Sequence, residues 1–372
     1  MKSKNSKVQD SRSIIASSHL TRREMLQKIM SFIVVFLPVA SQAGERRGKG
    51  GKRKGKGGGR RGKRVPRIVD PSQIPSYKYR IMSVDRFPAL QKEFDNARNN
   101  EKLGRNKAYR DQIAPLGLQL PGDFHDAKSI VVMATYAKPM YANFHLDGES
   151  YRIMIPFQYY DDDLNSDKLK GIIQKDIIKT TGRRVVDVSQ NVPLKLLAAR
   201  SGLGNYARNS LIYVDGMGSY SLLHAFLTDH TVTDDNWTSL QILNECDHCH
   251  ACVGSCPTNC ISKRSYSVSI DKCLTLYNEN HGEFPNYILG SMHNALMGCM
   301  KCKSPCPANE GITVLSGNME DISEEETRKI LRGTPDEALL KSLQRKLRNF
   351  PATETRDQFP ILSRNLKTLI RT

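Results

Sequence analysis

The chain holds nine cysteines, and all nine lie between Cys246 and Cys306. A disulfide framework would distribute its bridges along the chain, so clustering at short fixed spacing points instead to metal ligation. The first run is Cys246-x2-Cys249-x2-Cys252-x3-Cys256-Pro257, and the second is Cys299-x2-Cys302-x3-Cys306-Pro307, with Cys273 upstream. A four-iron cubane takes one thiolate per iron, and two-residue gaps let three consecutive cysteines wrap one cluster. The cysteine before proline then reaches the other cluster. By that crossing rule Cys246, Cys249, Cys252 and Cys306 hold one [4Fe–4S] cluster, and Cys256, Cys273, Cys299 and Cys302 hold the second. Cys260 is left over and reads as a small buried filler. Four thiolates also suit zinc, but zinc modules favour two separated C-x2-C pairs. His248 and His250 lie within the first run and are expected to tune the cluster rather than to replace a thiolate. His293 reads as a packed or cluster-adjacent residue.

The elements that must carry this module precede it. Tyr79–Val84, Lys128–Thr135, Tyr151–Pro156 and Arg184–Val188 read as strands; Phe87–Ala97, Ser166–Thr181 and Pro193–Gly202 read as helices. Leu211–Val214 reads as a strand, and Tyr220–Leu227 as a strand or a short helix. Alternating strands and helices to about residue 235 predict an α/β layer. Glu324–Asn349 reads as a charged helical stretch and Ile361–Arg371 as another.

Charge separates the N-terminus from the rest. Residues 1–67 contain 19 Lys/Arg and 3 Asp/Glu, a net of +16 out of the chain's +18. The remainder is close to neutral, so the basic pI predicts no specific nucleic-acid-binding fold. Arg22-Arg23 precedes an apolar run from about Ile29 to Ala40 that ends in Ala40-Ser41-Gln42-Ala43. That order of basic, apolar and small-residue regions resembles a twin-arginine signal, and the run is shorter than the roughly 20 residues of a membrane span. Residues 44–67 contain nine Gly and twelve Lys/Arg and cannot build a core. They read as a flexible linker, with contact to an anionic surface as a sharper expectation. The expected organisation is a signal over 1–43, a basic linker over 44–67, an α/β domain over 68–235, a double-cluster domain over 236–315 and a helical extension over 316–372. An exported, periplasmic location follows.

Ala199-Arg200-Ser201-Gly202-Leu203-Gly204, Arg208-Asn209, Gly218-Ser219 and Leu227-Thr228-Asp229, followed by the cysteine runs, resemble the epoxyqueuosine reductase family, which shares a corrinoid-binding fold with the reductive dehalogenases. The resemblance covers about residues 120–310. It implies a corrinoid-reductase-like α/β domain followed by a ferredoxin-like double-cluster module. It also implies a cobalamin between the α/β domain and the nearer cluster, lined by Gly202, Gly204, Arg208, Asn209, Gly218 and Ser219. Ala207 and Arg208 replace the family's Gly and Lys, and the family's substrate-side segment has no counterpart between Tyr151 and Asp163. The family's acidic proton donor falls at Val188, with Asp187 one residue away as candidate general acid. The resemblance thus implies electron transfer through two clusters to a corrinoid and a small substrate, fed by a redox partner. A corrinoid-free electron carrier and a surface-tethered protein with structural clusters are the alternatives.

Overall fold

The computed structural model describes residues 70–99, 105–161, 164–180, 182–312 and 315–371. The signal and linker expectations over 1–67 lie outside the described residues.

The first strand, β1 (Tyr77–Ser83), leads into helix α1 (Phe87–Arg98) and a shorter α2 (Lys107–Ile113). Strand β2 (Ser129–Tyr136) follows, then the hairpin β3 (Met140–Leu146) and β4 (Glu149–Ile155). Asp147 and Gly148 form its two-residue turn, both with positive φ (53° and 79°), as a right-twisted hairpin requires. Helix α3 (Ser166–Ile172) runs on as a π-helical turn, Ile173–Ile178, and strand β5 (Val185–Asp187) comes next. Helix α4 (Leu194–Arg200) starts after Pro193, and the small pair β6 (Asn205–Tyr206) and β7 (Ile212–Tyr213) leads to β8 (Ser221–Thr228).

The main sheet has the order β1-β2-β8-β5, with every pairing antiparallel. Strand β2 is central, and its unbroken apolar run is explained by cover on both faces. Ile130, Val132 and Ala134 point into the main core with Leu196 and Leu197 of α4. Val131 and Met133 point the other way, onto Leu169, Ile173 and Ile178 of the α3 segment. The period of two along one strand therefore fixes both helices. Tyr220–Leu227, open to two readings in the sequence, resolves as β8, because Ala225 and Leu227 share that core.

The cysteine module contains only short helices, among them α5 (Ala251–Ser255) and α6 (Leu274–Glu279). Strand β9 (Gly317–Asn318) then returns to β3 in parallel. The charged stretch expected from Glu324 to Asn349 is two helices, α7 (Glu324–Arg332) and α8 (Glu337–Lys346). Gly333 takes a left-handed φ of 80° and ends α7, and Pro335 cannot continue it. A capping box between Ser323 and Glu326 starts α7. The last helix is α9 (Phe359–Ile370).

One core joins all three expected blocks. Met82, Ile130 and Leu197 share it with Leu296 and Met300 and with Ile330, Phe350 and Leu366. The boundaries at 235 and 315 therefore divide the sequence without dividing the core. Among the described residues no helix is long and apolar enough to cross a membrane.

Candidate functional site

Local backbone makes the crossing of the two cysteine runs physical. Cys246 ends a 3-10 turn, Cys252 lies in α5, and Cys256 caps that helix in an extended conformation. Cys306 takes the same extended conformation before Pro307. Proline excludes the helical region for the residue before it, so both Cys-Pro steps must leave their turns. Cys273 caps α6.

The result is two thiol sets. Cys246, Cys249, Cys252 and Cys306 line one cleft together with Ala207, Arg208, Asn209 and Tyr213. Cys256 packs with Cys260, Cys273 and Cys302, and Cys252 of the first set borders the same apolar cluster. Burial pushes the Cys299 thiol up to about 12, with Cys273 and Cys256 close enough to add to it. Burial also raises Cys302, which feels Cys299 and Cys273. In the first set, burial and the charges of Cys246, Cys306 and Cys249 push Cys252 up to about 11. Converging buried thiols resist ionisation unless a cation is bound among them, and bound iron supplies that cation. The donor sets therefore fit two [4Fe–4S] clusters. Among the described residues no three His, Cys, Asp or Glu side chains converge on one metal ion. A cubane asks for less, since each thiolate binds its own iron.

Cys260 is buried 3.3 Å from Cys256, Sγ to Sγ, and its N–H donates to Cys256 Sγ at 3.4 Å. The Cys260 thiol, its N–H and Thr258 hold Cys256 down to about 5 against the effect of burial. The hydrogen bonds to Cys256 and Cys273 push Cys260 far up, so it stays a thiol donor.

Of the six residues that the resemblance assigns to a corrinoid, Arg208 and Asn209 line the cleft of the first thiol set, Ser219 lines a neighbouring cavity at the seam between the α/β layer and the cluster module and Gly218 lies beside it, while Gly202 faces Thr238. Protein atoms already occupy them. A Cβ on Gly204 would lie 2.6 Å from Ile212 Cγ2 and 2.7 Å from Tyr213 O. One on Gly202 would meet Thr238, and one on Gly218 would strike Asn309 Oδ1. The Ser219 N–H donates to Asn309 Oδ1 at 2.8 Å, and Asn309 Nδ2 donates to Ser219 Oγ at 2.9 Å. Arg208 donates to Cys246 O at 2.9 Å and to Lys263 O at 3.2 Å, and its guanidinium stacks 4.5 Å from the Tyr266 ring. Asn209 donates to Tyr213 Oη at 3.2 Å. The seam cavity lined by Leu194, Lys195, Ile212, Ser219, Ser221 and Lys303 measures about 30 Å³. That is room for a water molecule. This cavity as folded is smaller than a corrin ring.

Asp187 is not part of this seam. Its carboxylate accepts from Ser166 Oγ at 2.6 Å, Ser189 N at 2.9 Å and Ser189 Oγ at 2.6 Å. It pairs with Phe226, five residues along β8 from Ser221 at the seam, which is roughly 17 Å at strand rise. The candidate general acid is thus a turn-holding carboxylate, satisfied by local donors. His293 is buried edge-on against Phe284, 4.6 Å between centroids. Among the described residues neither His248 nor His250 hydrogen-bonds to a cysteine.

Three features near the second set carry no obvious mark in the sequence. Lys195 and Lys303 are buried at the seam. Glu279 is buried and accepts a short hydrogen bond from Tyr159 Oη, and burial holds its carboxyl well above the usual carboxylate range. Asn309 fastens the seam. Only Lys303 and Asn309, close to Cys302 and Pro307, could have been suspected from position.

Residues 245–309 match the 4Fe-4S double cluster binding domain family. An epoxyqueuosine reductase from Leadbetterella byssophila is 35% identical over 147 residues, covering 38% of this chain and 46% of the relative. One from Aliivibrio fischeri is 32% identical over 143 residues, covering 38% and 37%. The matched stretch thus spans less than half of each relative. Solved epoxyqueuosine reductases from Streptococcus thermophilus and Bacillus subtilis superpose with TM-scores of 0.52 and 0.54 at 20% identity, covering 79% of this chain and 76% and 77% of theirs. The chain therefore carries a 4Fe-4S double cluster binding domain within the fold of the epoxyqueuosine reductases.

Proposed function

We propose that this protein is an iron–sulfur oxidoreductase that relays single electrons through two [4Fe–4S] clusters to reduce a small organic substrate. The observation that carries this reading is the crossed pair of thiol sets. In this reading Cys306 closes the first cluster and Cys256 enters the second, so both clusters belong to one short module. The first set opens against Ala207 and Tyr213 of the α/β layer, where electrons can leave for an acceptor. The likeness to epoxyqueuosine reductases supports a reductase. A soluble redox partner supplies the electrons in this reading. The twin-arginine-like start supports export to the periplasm, with the basic segment 44–67 resting on an anionic surface.

The resemblance would place a corrinoid at the seam. The closed seam favours a second reading, an electron carrier that keeps the clusters and binds no corrinoid. One titration separates the two. The full chain is reconstituted anaerobically with iron and sulfide, and cob(II)alamin is added while its EPR spectrum is followed. Loss of the lower-ligand nitrogen splitting means that the seam opens around a corrinoid. An unchanged cobalamin spectrum beside intact clusters selects the corrinoid-free carrier. A chain that takes up no iron contradicts both.

A further inference from the structure

Lys195 and Lys303 reach the same cavity from different parts of the chain. Lys195 lies on α4 and is 6% exposed; Lys303 directly follows Cys302 and is 5% exposed. No Asp or Glu lines the cavity that they share. Lys303 Nζ donates to Ser219 O at 3.4 Å and lies 4.2 Å from the Phe157 ring centroid, and Lys195 Nζ donates to Ser210 O at 3.3 Å. Carbonyl oxygens and a ring face offset only part of the cost of burying an ammonium group. A nearby anion offsets far more, and Lys303 directly follows Cys302, so the anionic cluster that the second thiol set would hold is the anion at hand. Burial, and for Lys195 the charge of Lys303, pushes the two amines down to about 7 and about 8, while Cys273 and Cys302 act against this at Lys195 and Cys302 and Cys299 at Lys303.

Resting on the two-cluster reading, we propose that Lys195 and Lys303 are buried counter-ions of the cluster held by Cys256, Cys273, Cys299 and Cys302, and that they raise its reduction potential. One-electron reduction adds one negative charge to a cluster that is already anionic. Fixed cations in a water-poor site stabilise that extra charge more strongly than the same cations would at the surface. Cluster potentials respond to net charge, hydrogen bonds and exposure. The first set has Arg208 beside it, but that guanidinium is spread over Cys246 O, Lys263 O and the Tyr266 ring. Arg208 also donates its backbone N–H to Cys246 Sγ at 3.4 Å; in this proposal the two buried ammonium groups outweigh that single bond and the electron rests on the second cluster. One electron from a low-potential one-electron donor reduces the pair, settles there, and leaves the first cluster oxidised until a second electron arrives. No proton moves and no bond is made or broken.

The test uses the full chain reconstituted to about eight iron atoms, with an EPR-monitored redox titration against dithionite. Lys303→Met and Lys195→Met remove charge while keeping the cavity filled. Each is expected to lower the equilibrium constant for reducing one and the same cluster at least tenfold, which is about 59 mV for a one-electron couple. The other midpoint and the iron content hold. Lys303→Arg, which keeps the charge, restores most of the potential. Arg208→Gln, beside the first set, shifts the other midpoint. Full iron with both midpoints unmoved in both lysine variants overturns the proposal. So does a shift of the same midpoint by the lysine variants and by Arg208→Gln. Lys195 is far in sequence from every ligand, so its variant remains informative if Lys303→Met loses iron. A wild-type chain without iron would sink the two-cluster reading itself and is read out separately.

Discussion

Asn309 and Ser219 exchange two hydrogen bonds across the seam, Ser219 N–H to Asn309 Oδ1 at 2.8 Å and Asn309 Nδ2 to Ser219 Oγ at 2.9 Å. The Asn309 amide also donates to Lys303 O at 3.0 Å. Both residues are fully or nearly fully buried. Asn309→Ala leaves the N–H and hydroxyl of Ser219 without partners, at a cost of about 2–4 kcal/mol. The variant should show a lower thermal midpoint, read by circular dichroism on the reconstituted chain. An unchanged midpoint would mean that water takes over both bonds.

Cys260→Ala tests the division of nine cysteines into eight ligands and one donor. Iron content should stay at about eight per chain, because the eight other cysteines complete both cubanes and Cys260 only supports Cys256 through its N–H at 3.4 Å. Loss of half the iron would make Cys260 a ligand and displace a member of the second set.

Arg364 ties the last helix to the second thiol set. It donates to Asn280 O at 2.9 Å and Tyr277 O at 2.8 Å, and it bonds Gly282 O, while its guanidinium lies 4.1 Å from the Phe284 ring. Its neighbour Asn365 donates to Asn278 O and Leu296 O, both at 2.9 Å. These bonds hold the loop that connects Cys273 to Cys299. Arg364→Ala should speed iron release to a chelator from one cluster and leave the other at the wild-type rate. Equal release from both clusters would show that α9 has no special link to the second set.

His293 makes a pH prediction. Burial and then the charge of Arg364 hold its imidazole down at about 4, below the ordinary 6.5. Neither ring nitrogen has a hydrogen-bond partner among the described residues. A lowered folded value means that the unfolded chain binds the proton first as pH falls. This contribution to stability is intact above pH 6.5 and is lost as pH drops toward 4. His293→Leu should flatten the slope of stability between those values and raise stability by about 1–3 kcal/mol. Urea unfolding at pH 7.5 and 5 checks both. A steeper slope in the variant would show that the imidazole has a buried partner.

The ligand set was legible because its constraint is local. Cys-x2-Cys spacing and the proline after Cys256 and Cys306 act within a few residues, and the structure places Cys246, Cys249, Cys252 and Cys306 along one cleft. The α/β layer was legible from β-branched runs such as 128–135. The break between α7 and α8 stood in plain view at Gly333-Thr334-Pro335, yet helical periodicity on both sides hid it. The seam was not legible. Gly204 is needed because β7 lies against it, and Gly218 because Asn309 arrives from 91 residues later in the chain. Neither approach leaves a local sign. Lys195 and Lys303 look like surface lysines in sequence, and only packing shows that both are buried beside one thiol set.

The central claim is the crossing, in which each Cys-Pro cysteine serves the cluster wrapped by the other run. The most direct measurement is iron and labile sulfide per chain, with EPR of the reduced protein, for the wild type, Cys306→Ala and Cys256→Ala after anaerobic reconstitution. Crossing predicts about eight iron atoms in the wild type and about four in each variant. It further predicts that Cys306→Ala keeps the midpoint sensitive to Lys303→Met, while Cys256→Ala keeps the other. If Cys306→Ala instead removes the lysine-sensitive cluster, each run closes its own cubane and the crossing is contradicted.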